Sequence, residues 1–328
     1  MQSFEWIDAT SVDRAAQLLA ASSPDTPVVA KAGGIDLLDL MKEGIIAPSR
    51  VINLKTIAGL DGIRFNDGQG LELGTLVTLA QIATSDRIRA GYSALADAAR
   101  HASTPQVRNA ATIGGNLLQR SRCWYFRNEH FHHVDDIGEH VRSGENHYHA
   151  IFDNSRSALV HASTPATALV AYDARVELSG PKGGQRTVPL GEFFLPSELH
   201  RDSDTVIERG EVLTRVIVPP TASGTRAAYH KQTERDSYDW PICDVAVVLR
   251  MDNQTIASVS IVMGWVAPTP RRALESERLL TGQTISEELA RSAARAAVAD
   301  ATPLSKNAYK VPVLEAVVRR TILSAAGA

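Results

Sequence analysis

Two adjacent glycine pairs place the strongest constraint on how this chain folds. The pair at 33–34 lies in "PVVAKAGGIDLLDLMKEG", which predicts a short strand, a turn and a helix from about Asp36 to near Gly44. The pair at 114–115 lies in "TPQVRNAATIGGNLLQR", again predicted between a strand and another element. An isolated pair is usually a plain turn, but glycines also let backbone N–H groups converge on an anion such as a pyrophosphate. Together the two loops predict a dinucleotide held from both sides.

A Rossmann site is not predicted. The stretch "GQGLELG", with Gly68, Gly70 and Gly74, has the wrong final spacing for G-x-G-x-x-G. It also leads into a strand, where that motif needs the N-terminus of a helix. We interpret it as a hairpin turn.

Composition is that of an ordinary globular protein. A length of 328 residues predicts two or three structural units. A net charge of -3 gives no electrostatic case for binding nucleic acid or membranes, so small-molecule or protein partners are favoured. No segment has the pattern of a secretory signal or a membrane span. Two cysteines are too few for a disulfide framework, which favours a cytoplasmic protein.

The remaining pattern mixes helices and strands. "TSVDRAAQLLAA" predicts an amphipathic helix that starts at Thr10 or Ser11. "LELGTLVTLAQIA" and "YSALADAARHA" predict a strand and two helical stretches, and "RVINL", "ALVAYDARVEL" and "VLTRVIVPP" predict strands. Pro219 and Pro220 mark a candidate domain boundary. Beyond it, "DVAVVLRM" and "ASVSIVMGWV" predict a hairpin around "DNQT", followed by helices around "SEELARSAARAAVADA" and "PVLEAVVRRTILSAA".

Six segments occur in an order that resembles one protein family. They are "KAGGIDLLDLMK", "TPQVRNAATIGGNLLQ", "RCWYFR", "RGEVLTRVIVP", "GWVAPTPRRALESERLL" and "NAYKVP". In them the chain is similar to the FAD-binding medium subunit of bacterial molybdenum hydroxylases, the xanthine dehydrogenase, carbon monoxide dehydrogenase and aldehyde oxidoreductase group. The segment "RCWYFR" looks most like the aldehyde oxidoreductase branch.

The resemblance implies an α+β fold of the vanillyl-alcohol-oxidase (PCMH) type. In such a fold FAD lies between two α/β subdomains, expected here at about 1–56 and 57–220. A C-terminal α/β domain of the CO dehydrogenase flavoprotein type is expected at 221–328.

The resemblance also implies a set of FAD-binding residues. The two glycine loops would surround the pyrophosphate and ribityl chain, with backbone donors from the glycines and a side-chain amide from Asn116. Leu213 and Lys231 would border the adenine side or the flavin ring, where a lysine would favour the reduced, anionic flavin. Without the family match, we would interpret Lys231 as a solvated surface lysine. The full expected set is Lys31, Ala32, Gly33, Gly34, Ile35, Asp36, Leu37, Thr112, Ile113, Gly114, Gly115, Asn116, Thr164, Leu213 and Lys231.

Two positions depart from the family pattern. Ile35 stands where relatives usually have a hydroxyl residue, and Thr164 stands where they have an acidic one. A threonine hydroxyl can make a hydrogen bond but supplies no negative charge. We therefore expect altered flavin affinity or potential.

The larger departure from the family pattern concerns the cysteines that bind an iron–sulfur cluster. Relatives with "RCWYFR" commonly carry further cysteines in the next loop, which hold a four-iron cluster, and a cubane cluster needs four ligands. Here Cys123 remains but the loop that follows has no cysteine. Cys243 is expected to be a small buried apolar residue. We predict no metal site, with Cys123 as a ligand only if a cluster survives.

That loop is instead rich in histidine. Seven of the ten histidines lie in it, with Asp135, Asp136 and Glu139 among them: His130, His132, His133, His140, His147, His149 and His161. These side chains suit zinc or iron, but their spacing matches no defined motif. Surface histidines that face solvent or a partner are the favoured interpretation.

Two further features have structural and functional interpretations. The rings of Trp124, Tyr125 and Phe126 would either shield the flavin or, as an aromatic run in a strand, pack in the core. Arg235 would contact FAD or a partner subunit, or form a surface ion pair with Glu234 or Asp236. We assign no catalytic residue.

The implied function is electron relay in a heterotrimer. A large molybdopterin subunit would oxidise the substrate, an aldehyde or a xanthine-type compound. A small subunit with two-iron clusters would carry the electrons, and FAD in this chain would pass them to an unidentified acceptor. The alternatives are a stand-alone FAD oxidoreductase and an assembly subunit that has lost FAD. The cytoplasm is expected, or the periplasm if a partner subunit carries the chain there.

Overall fold

The structure is a computed structural model that describes residues 2–66, 68–132, 137–155, 158–195 and 203–327. Its elements form three sheets with helices packed against them, which confirms the α+β class. No helix in these ranges has the length and apolar character needed to cross a membrane.

The first sheet consists of three parallel strands in the order β1-β3-β2. Its strands are β1 (Glu5–Asp8), β2 (Val28–Lys31) and β3 (Arg50–Asn53). Helix α1 (Val12–Ala20) buries its apolar face here, and the Ser11 hydroxyl caps it by accepting the N–H of Arg14 at 3.2 Å. The helix predicted after the first glycine pair is confirmed as α2 (Ile35–Lys42).

The second sheet is antiparallel, with five strands in the order β4-β5-β8-β6-β7. Its strands are β4 (Ile63–Asn66), β5 (Gly70–Gly74), β6 (Arg175–Ser179), β7 (Gln185–Pro189) and β8 (Val212–Val218). Strands β4 and β5 form the hairpin predicted from "GQGLELG". Helices of this unit are α3 (Leu79–Thr84), α4 (Asp86–Gly91), α5 (Ser93–Arg100), α6 (Pro105–Ala110), α7 (Ile113–Leu117), α10 (Thr164–Ala171) and α11 (Leu190–Phe193). Between α7 and α10 lie residues 118–162, which we call the surface segment and which contain α8 (Glu129–His132) and α9 (Ile137–Ser143).

The strand prediction for "ALVAYDARVEL" is wrong in its first half. Residues up to Ala171 belong to α10, and β6 begins only at Arg175. The hydroxyl of Ser163 caps this helix by accepting the N–H of Ala166 at 3.0 Å. All eight residues of α10 are buried, so the sequence shows no period that separates helix from strand.

The third sheet is antiparallel, with four strands in the order β12-β11-β10-β9, and the C-terminal helices pack against it. Its strands are β9 (Thr225–Gln232), β10 (Cys243–Asp252), β11 (Thr255–Gly264) and β12 (Arg271–Arg272). The predicted "DNQT" hairpin is confirmed, with Asp252 opposite Thr255 and Asn253 at a φ of 54°. The helices are α12 (Leu274–Leu280), α13 (Glu287–Val298) and α14 (Lys310–Ala326), and the last two confirm the helix predictions.

A buried lysine at the start of α14 ties the surface segment to the third sheet. The ammonium of Lys310 is fully buried and donates to the backbone oxygens of His149 at 3.1 Å and Trp265 at 2.7 Å. It also donates to the oxygen of Tyr148 at 3.3 Å. Burial lowers the pKa of Lys310 to about 7.

This lysine should make stability depend on pH. Between about pH 7 and 10 the unfolded chain binds a proton that the folded chain does not, so the free energy of unfolding should rise with pH, by at most about 1.4 kcal/mol per pH unit. Lys310→Met should flatten that rise, whereas the half-exposed Lys306→Met should keep it. Urea unfolding at several pH values measures both slopes. Equal slopes in wild type and Lys310→Met would contradict the assignment.

Candidate functional site

A cavity of about 330 Å³ opens between the first and second sheets and reaches the edge of the third. The first glycine loop and α2 form one wall, and α7 with the residues that follow it forms another. Leu213 of β8 and Lys231 of β9 contribute from the two antiparallel sheets. A cavity of this size, bounded by three units, is the usual setting of a small-molecule site.

The first glycine loop presents the open end of a helix to this cavity. Gly34 is the N-cap of α2 with a φ of 81°, a left-handed conformation that favours glycine, and no side chain in the described part of the chain caps the helix. Gly33 packs so tightly that a β-carbon there would lie 2.2 Å from the oxygen of Ala110. The uncapped N-terminus of α2 suits an anion, as the sequence indicated.

The second glycine pair lies inside helix α7, not between a strand and another element as the sequence suggested. The N–H of Gly114 donates to the oxygen of Thr75 at 2.9 Å, and the N–H of Gly115 donates to Thr112 Oγ1 at 3.2 Å. A β-carbon at Gly114 would lie 1.8 Å from Thr75 Oγ1. These glycines therefore bring α7 against the loop before α3, and their amide groups are already bonded to protein oxygens.

The side chain of Asn116 is the polar group that α7 turns toward the cavity. Its oxygen Oδ1 accepts from the Ser163 hydroxyl at 2.6 Å. Because that oxygen is used, the amide nitrogen Nδ2 is left to donate to a ligand. Ser163, which the sequence reasoning missed, thus orients a residue that it identified.

An ion cluster around Asp36 joins the two walls. The carboxylate accepts from the backbone N–H of Arg120 at 2.9 Å, from Arg127 at 2.6 Å and from Arg122. Arg127 also reaches the half-exposed Asp39 at 2.6 Å. Burial alone would raise the pKa of Asp36, but these cations and the N–H hold it below its usual value. The side chain of Asp36 is therefore engaged within the protein.

Thr164 lies deep in the cavity wall and contacts buried polar groups. Its hydroxyl donates to the oxygen of Ala98 at 3.2 Å. Beside it, the Tyr229 hydroxyl donates to the buried carboxyl of Asp244 at 2.7 Å. Burial raises the pKa of Asp244 to about 7, although its hydrogen bonds and Lys231 oppose this. The acidic group absent at position 164 is thus present nearby, on β10.

Lys231 is half-buried and is not the solvated lysine of the alternative interpretation. Its ammonium donates to the oxygen of His101 at 2.9 Å, and it lies opposite Asp244 in the β9–β10 pairing. Burial lowers the pKa of Lys231 below its usual value, while Asp244 and Asp239 act in the other direction. The cavity therefore has a cation that is held by a backbone contact and lies in the electrostatic field of two carboxylates.

Fourteen of the fifteen expected residues line the cavity, and Ile113 is the exception. Ile113 is fully buried in the core of the second unit. Ile35 is 41% exposed, so an apolar side chain borders the opening where the family usually has a hydroxyl. Residues that sequence reasoning missed include Arg120, Arg122, Trp240 and Trp265. Arg120 and Arg122 follow α7 closely in the sequence, so they could have been identified as neighbours of the second glycine pair. Trp240 and Trp265 lie far from both glycine pairs in the sequence, and no local pattern indicated them.

The structure separates the histidines of the surface segment. His149 Nε2 lies 3.0 Å from Cys123 Sγ, His161 packs on Phe194, and His140 stacks on Tyr125. Burial lowers the pKa of His149 to about 4 and raises that of Cys123 to about 11. Among the described residues no three His, Cys, Asp or Glu side chains form a group suited to a metal ion.

Part of the histidine prediction lies outside the described residues. These positions are His133, Asp135, Asp136 and the side chain of His132.

Cys243 of β10 is fully buried in the hydrophobic core between the third sheet and its helices, and burial raises the pKa of its thiol to about 12. Its position agrees with the apolar role expected from the sequence.

Two local predictions are wrong. Trp124, Tyr125 and Phe126 lie in a turn and not in a strand, and only Phe126 is fully packed in the core while Trp124 is 41% exposed. Arg235 pairs with Asp239 at 2.9 Å and not with Glu234 or Asp236. The chain turns back between these two residues, which brings position 239 within reach.

The fold and cavity are those of a flavin-binding protein, and comparison with known families gives the assignment. Residues 2–221 match the family model of the FAD binding domain in molybdopterin dehydrogenase. Residues 227–325 match the CO dehydrogenase flavoprotein C-terminal domain. The chain belongs to this family of FAD-binding medium subunits of molybdenum hydroxylases, and it is a flavoprotein subunit of an oxidoreductase.

Individual relatives agree with this assignment. The chain is 32% identical over 286 residues to the aldehyde oxidoreductase FAD-binding subunit PaoB of Escherichia coli K12, covering 85% of this chain and 86% of the relative. It is 30% identical over 326 residues to the carbon monoxide dehydrogenase medium chain of Hydrogenophaga pseudoflava, covering 98% and 96%. A solved structure of carbon monoxide dehydrogenase from that organism, which lacks the Mo-pyranopterin moiety, superposes with a TM-score of 0.77 at 29% identity, covering 99% and 97%.

The residues present fit FAD. Its pyrophosphate is an anion, and the cavity offers the uncapped N-terminus of α2 with the cations Lys31 and Lys231. Within the described residues the amide nitrogen of Asn116 has no partner, so it can donate to a polar atom of the ribityl chain or ring. Leu213, Leu79 and Val107 supply apolar surface. When bound, FAD would provide two-electron redox chemistry that no side chain of the cavity has.

The Asp36 cluster, which joins two walls of the cavity, should contribute strongly to the stability of the protein. Asp36→Asn should lower the free energy of unfolding by about 2–4 kcal/mol, because buried arginines lose their carboxylate. Asp39→Asn, on the same helix but half-exposed, should cost less than about 1 kcal/mol. Urea unfolding compares the two variants, and similar losses in both would show that Asp36 has no special role.

Proposed function

We propose that this chain is the FAD-carrying electron-transfer subunit of a heterotrimeric molybdenum hydroxylase. In this role it receives electrons from the two-iron clusters of a small subunit and passes them to an external acceptor. A large molybdopterin subunit oxidises the substrate, an aldehyde or a xanthine-type compound. The observation that carries the proposal is a cavity with an uncapped helix end, two lysines and an oriented amide, in a chain of this family.

The chain's own residues have three tasks in this function. The N-terminus of α2 and Lys31 bind the pyrophosphate, and Asn116, oriented by Ser163, positions the more distal part of FAD. Lys231 holds a positive charge at the edge of the third sheet. The apolar wall, with Leu213, excludes water. We propose the fourteen cavity-lining residues of the expected set as FAD contacts, whereas Ile113 would support α7 from the core behind it.

The domain division is also part of the proposal. The FAD-binding unit comprises 1–220, with subdomains at about 1–56 and 57–220, and the C-terminal unit comprises 221–328. The first and second sheets lie in the former and the third sheet in the latter. Two buried free thiols, Cys123 and Cys243, support a reducing cytoplasmic location.

The first test is a visible spectrum of the purified chain before and after denaturation, with iron analysis of the same sample. We expect about one FAD released per chain and no iron. A protein without flavin would overturn the proposal and favour an assembly role. Iron at about four atoms per chain would overturn the predicted absence of a cluster. Co-purification with two further chains, expected here, separates the relay subunit from a stand-alone oxidoreductase.

Lys231 should affect both binding and redox properties of FAD. Lys231→Met should weaken FAD binding roughly tenfold and lower its reduction potential, since reduced FAD carries negative charge that the ammonium stabilises. Lys231→Arg should retain most of both properties, and Lys182→Met, at an exposed position, serves as a charge-matched control. Fluorescence titration gives the affinity and redox titration the potential. Unchanged values in Lys231→Met would leave Lys231 a purely structural role.

A further inference from the structure

A second cavity of about 360 Å³ adjoins the FAD cavity. We call it the aromatic cavity, because it is lined by the rings of Trp124, Tyr148, Tyr238, Trp240 and Trp265. The two cavities share part of one wall, including Trp240 and Trp265. Its volume lies within the range of small-molecule sites.

The rings come from two separate parts of the chain. Trp124 and Tyr148 belong to the surface segment and pack edge to face at 5.8 Å between ring centres. Trp240 and Trp265 belong to the third unit and stack at 6.4 Å. Four of the ten large apolar or aromatic side chains that are exposed in the described residues line this cavity. Such a concentration of exposed rings marks a binding surface.

The charged groups around the cavity leave no net charge to attract an ion. Arg235 is paired with Asp239, and Arg122 is paired with Asp36. The carboxylate of Glu234 accepts the hydroxyl of Tyr148. Two positive and two negative side chains line the cavity, so it favours a neutral ligand over an anionic nucleotide or a cation.

Two lining residues also carry nitrogens that lack partners. His149 Nδ1 and Trp265 Nε1 are buried and have no hydrogen-bond partner within the described residues. An indole N–H can only donate, so a ligand oxygen is the partner it needs. Trp265 also has a φ of 61°, a strained backbone of the kind found at ligand sites.

We propose that the aromatic cavity binds a neutral planar ring bearing carbonyl oxygens, a quinone-type molecule, next to the FAD cavity. The five aromatic side chains that line the cavity suit an aromatic ring, which can stack on them or pack edge to face. The absence of net charge and the unpartnered nitrogens suit carbonyl oxygens. The position beside FAD rests on the proposed function and deepens it, since it names the chemical class of a molecule held next to the cofactor.

The test is calorimetric titration of the full, FAD-loaded chain with menadione, a naphthoquinone. We expect saturable binding that Trp124→Ala and Tyr238→Ala each weaken roughly tenfold. Neither residue lines the FAD cavity, so FAD content should stay constant. Trp124→Phe should retain most of the affinity, and Leu274→Ala, an exposed residue on α12, should change nothing.

Several outcomes would overturn the proposal. These are no menadione binding at full FAD occupancy, wild-type affinity in both alanine variants, or binding of NAD⁺ but not menadione. A chain that lacks FAD yet binds menadione through these rings would overturn the proposed function and support the cavity assignment. Loss of co-purifying subunits in Trp124→Ala, without menadione binding in the wild type, would identify the surface as a subunit interface.

Discussion

The carboxylate of Asp36 holds together the two walls on which the site depends. It lies in the first turn of α2, where a negative charge is favoured by the helix, and it takes up hydrogen bonds from the segment after α7. Two guanidinium groups could not be buried there without it. The same contact fixes the uncapped end of α2 beside α7. The position of the helix end that suits an anion thus depends on one charge cluster whose carboxylate is already bonded within the protein.

Local signals predicted the parts of the fold in which chain neighbours determine the structure. Ser11, Gly34 and Asn253 act through their own turns, so a cap, a left-handed turn and a hairpin were all recognisable. Helix α10 was missed because complete burial removes the periodic pattern. The amides of the second glycine pair, which the sequence suggested as donors to a ligand, are instead bonded to protein oxygens for a similar reason. The partner of the Gly114 amide is Thr75, far away in sequence, and no local pattern identifies such a contact.

The same distinction applies to the site. The loops at 31–37 and 112–116 were identified from their motifs, and the structure places nearly all of their residues on one cavity. Asp244 could not be identified, because its role depends on Tyr229, Thr167 and the absence of a side chain at Gly264. A β-carbon at Gly264 would lie 2.0 Å from the carboxyl oxygen of Asp244. Three chain segments must therefore meet to form the surroundings of this buried acid behind Thr164.

The surface segment shows how protein contacts hold a long loop. The Tyr125 hydroxyl accepts the N–H of Glu145 at 2.7 Å, and the amide of Asn146 donates to Ser305 at 3.0 Å. The amide of Asn307 donates to the oxygen of His149 at 3.1 Å, next to the contact from Lys310. "NAYKVP" thus fixes the segment from the far end of the chain. Lys310 also donates to the backbone oxygens of Tyr148 and Trp265, so one buried ammonium helps to position rings from both parts of the chain that line the aromatic cavity.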